Sequence, residues 1–479
     1  MNYRMVQGVD LVERDGATFL MSRSPLALVR LNAPLVALAR RAMAGPVEAA
    51  SAGEAAVLEQ LAGKGFLERL RSVACADKQA ELPSISIVIP VLDRAGELAR
   101  CLESIAKVDY PRDKVEVIVV DDGSLDESPE VARKHGAFLV SSGGVRRGPA
   151  AARNVGALNA SGELLAFIDS DCSASTGWLS ELVPLFANPK LAAVGGRVDG
   201  MCSSSAVDRY EAVMSSLSLG TRERFGSSGD DTFYLPSCNL LVRRDLFLSV
   251  NGFEDSMHVG EDVDLTWRLR DAGWTIAYLP AGSILHEHRS SVRSFMSRRF
   301  DYGTSEGTLQ KLHPQRKKRF VLSPRLGVVL ALCLLAPYLS LWLYPAASLL
   351  LVADALVCGR KLAKRGVPLA FCAVLGGRLR ALGSLAYYLS YHLVRYYALL
   401  LGALSVALPG LWAVALGALL TSAGVDYRIK KPRLSFFEFL FVYLLEQVAY
   451  GAGVFWGCLR GRGFASYRVT ILGRMEVTA

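Results

Sequence analysis

Two carboxylates one residue apart, Asp169 and Asp171, follow five apolar residues in a row, Leu164-Leu165-Ala166-Phe167-Ile168. An apolar run of that length bounded by polar residues predicts a strand buried on both faces, as in the middle of a parallel sheet. The acids then stand at the carboxyl end of the strand, the edge at which open α/β sheets bind ligands. Side chains at i and i+2 of an extended segment point the same way, so Asp169 and Asp171 can share one cation. Mg²⁺ or Mn²⁺ suits such a pair, because hard ions take a few carboxylate oxygens and complete their shell with water and phosphate oxygens. A turn is the competing reading of Asp-Ser-Asp on its own.

Other groups repeat the pattern. Asp121 and Asp122 close a second apolar run, Val115 to Val120, and two acidic pairs at two strand ends are hard to attribute to turns alone. Gly148-Pro149 opens a helix with Arg153 one turn in, a natural anion site, although a solvent-facing Arg is an equal reading. Gly260-Glu261-Asp262-Val263-Asp264 begins another helix, with Leu265 and Leu269 as its buried stripe. Acids in a first turn favour the helix dipole, but three in four residues exceed what capping needs. His286, in His286-Glu287-His288 after the strand Ile276 to Leu279, either adds an imidazole to the metal site or is an ordinary surface histidine.

These groups sit on a βαβ rhythm that starts at Ile85-Ser86-Ile87-Val88-Ile89-Pro90 and continues through a helix over Gly96 to Ala106, which predicts an α/β fold with a mostly parallel sheet. Before it, residues 1–75 form a small winged-helix-like α+β module. Its hairpin turns at Asp15-Gly16, a helix runs over Pro34 to Met43, and a second is capped by Ser51 with Glu54 at capping-box spacing. Asp77-Lys78-Gln79 reads as a linker. After it, residues 320–479 are apolar: 326–353 and 396–425 hold no charge over 28 and 30 residues, and Phe436 to Cys458 is a third apolar stretch. Either uncharged run is long enough to cross a bilayer or, broken at Pro337/Pro345 and at Pro409-Gly410, to dip and return.

The net charge of +9 divides unevenly. From residue 311 onward 21 Lys and Arg stand against 5 acids, whereas residues 1–310 hold 33 against 40, so the excess of +16 belongs to the apolar third and residues 1–310 carry −7. That pattern suits a membrane surface and disfavours nucleic acid as a partner. Basic clusters at Lys311 to Arg325, Arg360 to Arg365, Arg428 to Arg433 and Arg460 to Arg474 all stay cytoplasmic only if at least two apolar segments are hairpins or lie in the interface. The Tyr- and Arg-rich stretch 378–395 suits an interfacial helix. Nine scattered cysteines without a Cys-x-x-Cys pair fit a reducing compartment, and no secretory signal is expected.

Together, Ile87-Val88-Ile89-Pro90, Val119-Val120-Asp121-Asp122-Gly123-Ser124, Ala152-Arg153-Asn154, Asp169-Ser170-Asp171 and Gly260-Glu261-Asp262 resemble the family 2 glycosyltransferases over residues 84–310. Gly8-Val9-Asp10-Leu11-Val12, Ser24-Pro25-Leu26, Leu31-Asn32 and Gly65-Phe66-Leu67 resemble the PqqD-like modules that hold precursor peptides. That domain order resembles the mycofactocin-system subgroup. The resemblance implies a GT-A domain and an inverting hexosyl transfer, with UDP-glucose the expected donor and a peptide-derived acceptor at the cytoplasmic face of the cell membrane. It assigns Pro90, Asp121, Asp122, Arg153 and Asp169 to the nucleotide-sugar and Asp171, helped by Asp169, to the metal, with His286 the further candidate ligand read from the residues above. It makes Asp262 the general base with Glu261 orienting base or acceptor, and leaves Asp264 to cap its helix. The Gln-x-x-Arg-Trp signature of processive members is not present, and Arg298-Arg299-Phe300 lies at a comparable place. Transfer to a lipid carrier or polysaccharide, and a non-catalytic scaffold, are the rival readings.

Overall fold

The apolar and polar patterns of residues 2–70 close into a small module. Its strands are β1 (Asn2–Met5), β2 (Val9–Arg14), β3 (Ala17–Arg23), β4 (Leu26–Leu31), β5 (Val47–Glu48) and β6 (Leu67–Leu70). Helix α1 spans Ala33–Ala44 and α2 Ala52–Gly63. β2, β3 and β4 pair antiparallel in sequence, and β1 lies between β5 and β6. Asn32 Oδ1 accepts the Leu35 N–H, and Ser51 Oγ accepts that of Glu54, so both helices begin on side-chain caps. Leu20, Leu38, Leu58 and Phe66 fill the core between them.

The computed structural model describes residues 2–6, 8–14, 17–23, 26–70, 82–144, 146–227, 231–321, 323–364 and 369–472. Asp15-Gly16, Ser24-Pro25, the linker at 77–79, Arg365 and Arg474 lie outside them. The chain forms two compact units, residues 1–81 with 321–386 and 473–479, and residues 82–320 with 387–472.

In the second unit the strands are β7 (Ile85–Val91), β8 (Val115–Asp121), β9 (Phe138–Ser141), β10 (Leu164–Ile168), β11 (Cys172–Ala174), β12 (Leu191–Gly195), β13 (Val198–Gly200), β14 (Arg224–Gly226), β15 (Asn239–Arg243), β16 (Thr275–Tyr278) and β17 (Ile284–His286). The helices are α3 (Ala95–Ile105), α4 (Ser128–Lys134), α5 (Pro149–Leu158), α6 (Trp178–Leu182), α7 (Ala206–Met214), α8 (Arg244–Ser249), α9 (Glu261–Asp271) and α10 (Val292–Leu312). The eight-stranded sheet runs β14-β16-β12-β15-β10-β7-β8-β9. β10, β7, β8 and β9 are mutually parallel, as the βαβ rhythm implies, and β15 runs antiparallel between β10 and β12. This is the α/β domain expected of a GT-A fold.

β10 is buried at all five positions, with burial of each large apolar side chain worth roughly 1.5–3 kcal/mol. Its last residue, Ile168, pairs with Asn239, the first of β15. The carboxyl ends of β7, β8 and β10 therefore share one edge with the amino end of β15. Asn239 is buried and fully engaged: it accepts from Trp178 Nε1 at 2.8 Å and donates to the carbonyls of Arg197 and Gly282. A smaller sheet, β11-β17-β13, brings Cys172 opposite His286.

The apolar third is helical. β18 (Lys318–Val321) precedes α11 (Pro324–Leu339) and α12 (Leu343–Lys364), which pack against each other, so the 326–353 run folds back at Ser340 to Trp342. α13 (Phe371–Ala407) and α14 (Leu411–Lys430) are separated at Leu408 to Gly410, where Pro409-Gly410 breaks the second run. α15 (Phe436–Arg460) follows, and β19 (Val469–Leu472) pairs with β18. Among the described residues α15 is the one helix long and apolar enough to cross a membrane, and half of its apolar window is buried. That buried face lies on α10 through four glycines. A Cβ at Gly303 would collide with the Tyr450 carbonyl, one at Gly453 with that of Phe300, and one at Gly457 with that of Thr304, while Gly307 lies against Gly457.

Candidate active site

One cavity of about 600 Å³ lies along the carboxyl edge of the sheet. On its β7–β8 side, Pro90 and Asp122 contribute to the wall. Asp122 is buried, and its carboxylate accepts from Ser142 Oγ (2.5 Å), the Arg147 N–H (2.9 Å) and the Gly148 N–H (2.8 Å). It thereby fixes the turn that launches α5, where Gly148 sits at φ +94°, a conformation open to glycine at no cost. Asp121 is not in the cavity wall: its Oδ1 accepts the Ser124 N–H at 3.0 Å and closes the turn after β8.

Arg153, on α5, is not a surface arginine. Its side chain is 4% exposed, with Nη2 2.6 Å from Asp169 Oδ1 and Nη1 2.9 Å from Glu261 Oε1. The guanidinium thus ties the end of β10 to the start of α9 and spends its charge on two carboxylates. Despite burial, which alone would raise it, Arg153 holds the Asp169 carboxyl below its usual range.

Asp171 points to a different set. Its Oδ1 lies 3.6 Å from His286 Nε2, and its Oδ2 2.5 Å from Arg94 Nη1. Ligand atoms of Asp171, Cys172 and His286 all fall within 4.8 Å of one another. Carboxylate and imidazole fit Mg²⁺ or Mn²⁺; burial pushes the Cys172 thiol well up, so it stays protonated beside them. Asp169, expected as a co-ligand, lines the same cavity and pairs through its Oδ1 with Arg153. The register Cys172 to His286 across β11 and β17 is what delivers the imidazole.

Asp262 faces the same cavity from the first turn of α9, whose preceding residue Gly260 adopts φ +84°. Its Oδ1 accepts from the Val263 N–H (2.8 Å) and its Oδ2 from the Ser237 N–H (3.2 Å). Burial, then the neighbouring Glu261 charge, pushes its carboxyl up to about 7. A carboxylate poised there can take a proton near neutral pH. Asp264 does not cap the helix: it is buried, paired with Arg268 and 2.9 Å from His313 Nε2, a partner 49 residues away that local reading could not supply.

Several wall residues escaped the sequence reading. Arg94, His288, Tyr234, Ser237 and Tyr302 line the cavity, and Arg298 and Arg299 enter it from α10. The charge of Arg298 acts on Glu261 and Asp169. The Arg298-Arg299 pair and His288, in His286-Glu287-His288, were visible as motifs without a place in the site; Arg94, Tyr234, Ser237 and Tyr302 carry no local signal.

The profile described as glycosyl transferase family 2 matches residues 86–250. Pre-mycofactocin glycosyltransferase of Mycobacterium tuberculosis is 32% identical over 402 residues, 81% of this chain and 82% of that protein. Glycosyltransferase AglE of Haloferax volcanii is 32% identical over 205 residues, 41% of this chain and 64% of that protein. Among solved structures, a mannosyltransferase of Pyrobaculum calidifontis in complex with GDP-Man and Mn²⁺ aligns at a TM-score of 0.40 and 20% identity, covering 75% of this chain and 91% of that one.

Proposed function

The chain belongs to the family 2 glycosyltransferases, of the mycofactocin type, and from that premise we propose that it moves a hexose, glucose from UDP-glucose, onto a peptide-derived mycofactocin precursor with inversion at the anomeric carbon. The reaction takes place at the cytoplasmic face of the cell membrane. The observation that carries it is Asp262: a half-buried carboxylate with its pKa raised to about 7, in the same cavity as Asp171 and His286.

Asp262 takes the proton of the acceptor hydroxyl as that oxygen attacks the anomeric carbon from the face opposite the nucleotide. The new C–O bond forms while the bond to the diphosphate breaks, and UDP departs with the electron pair. Asp122 and Pro90 line the nucleotide end of the cavity. Asp171 and His286 would hold Mg²⁺ or Mn²⁺, which as a Lewis acid offsets charge on a departing diphosphate. Arg153 keeps Asp169 and Glu261 paired, so that Asp262 is the carboxylate left to act as base. Residues 1–75, which resemble the PqqD-like modules, recruit the peptide or its product.

The test is UDP release by detergent-solubilised protein over a panel of nucleotide sugars, with and without Mn²⁺. Metal-dependent release from one sugar, lost in Asp171→Ala, supports the transferase; failure to bind any nucleotide sinks it.

A further inference from the structure

Past Asp262 the cavity wall is built by α10, α13 and α15, which contribute Arg298, Tyr302, Arg395 and Tyr450. All four lie outside the segment matched by the family profile. The acids on this wall are already engaged. Glu446 accepts the Tyr210 hydroxyl at 2.5 Å and lies 3.5 Å from Arg299 Nε, while Glu211 accepts from Arg299 Nη2 at 2.7 Å. Glu306 accepts from Lys318 (2.6 Å), Tyr396 (2.8 Å) and Tyr450 (2.5 Å).

Arg395 is placed differently. Its guanidinium lies 3.5 Å over the Tyr450 ring, its Nη1 donates to Gln447 Oε1 (3.0 Å) and stands 3.9 Å from Glu446 Oε1, beyond hydrogen-bond reach, and the side chain is 15% exposed. A guanidinium has five N–H donors, and one stacked on a ring keeps its edge for a ligand. With its acids engaged, this wall offers N–H donors and aromatic faces, and Asp262 as the base.

We propose that this wall is an acceptor subsite, in which Arg395 donates to a carbonyl-type oxygen of a compact hydroxyl compound lying against Tyr302 and Tyr450, with the hydroxyl presented to Asp262. The ligand class is a hydroxyl-bearing amide, as peptide-derived compounds supply. The inference rests on the transferase reading above. It makes α13 and α15 part of the substrate site as well as a membrane anchor.

The full-length protein in detergent, with UDP-glucose as donor and pre-mycofactocin as acceptor, tests it. Arg395→Gln should raise the acceptor KM at least about tenfold more than the donor KM, the scale of one lost charged hydrogen bond. Arg395→Lys should recover part of the loss. An acceptor KM that does not move, or donor and acceptor KM rising together, overturns the subsite. If Arg395→Gln fails to fold, as read by its thermal transition and UDP binding, Tyr450→Leu takes its place with the same two outcomes. Wild-type protein that releases UDP but does not glycosylate pre-mycofactocin defeats the acceptor named above; transfer instead to a polyprenyl phosphate or a glucan oligosaccharide, or to none of the three, overturns the subsite as well.

Discussion

Asp262 and Arg153 divide the work of the buried charges. Asp262 has two backbone N–H donors and no cation within ion-pair distance among the described residues, so burial leaves it easily protonated. Transfer should therefore show an acid limb with an apparent pKa of about 7 in kcat/KM, lost as the pH falls and the base gains its proton. The same shift has a stability sign. The folded-state value lies above the ordinary 3.8, so the protonated form is favoured in the fold, and stability drains away as the pH rises through about 7. Asp262→Asn should abolish transfer yet melt higher than wild type at pH 8, with the gap narrowing toward pH 5. Equal melting at both pH values would show that this carboxylate is not raised. Arg153 is the opposite case, because its removal strands Asp169 and Glu261. Arg153→Met should cost about 3–5 kcal/mol, as for other broken buried pairs, read as a loss of thermal stability before any effect on donor affinity is considered.

At the scale of elements, the contact of α10 with α15 is the one to break. Its glycines let the two backbones approach until no Cβ fits at Gly303, Gly453 or Gly457. Gly453→Leu should push α15 off α10 and cost more than the roughly 1–3 kcal/mol of ordinary overpacking, because the obstacle is backbone. Gly424→Leu on α14, which meets open space, is the control. Thermal unfolding of both in detergent decides it: equal losses would refute the docked helix. Such contacts mark where the sequence stops being legible. β10, α5 and α9 were readable because an apolar run, a Pro at a helix start and a Leu stripe are local signals. The break at Pro409-Gly410 was readable for the same reason, whereas the first apolar run turns at Ser340 to Trp342, between the two prolines that were its only cue. The antiparallel β15, the Arg94–Asp171 pair 77 residues apart, and Arg395 in the cavity wall depend on contacts that no window of sequence contains.

For the whole molecule, charge and hydropathy must agree on one topology. The basic clusters flanking α11 to α15 stay on the cytoplasmic side only if apolar segments return to the side they entered from. Helices α11 and α12 pack against each other, as such a return requires, and α15 spends its buried face on the catalytic unit's own α10. Cys358 and Cys372 flank the basic cluster that starts at Arg360, and Cys372 is exposed. A membrane-impermeant maleimide applied to intact cells should leave both unlabelled, and permeabilised cells should label Cys372 readily. Labelling of either from outside would put this cluster across the membrane, and the segment between α10 and α12 would then have to cross an odd number of times. The catalytic unit can face the cytoplasm, where nucleotide sugars are made, under the first outcome without opposing the positive charge of residues 311–479.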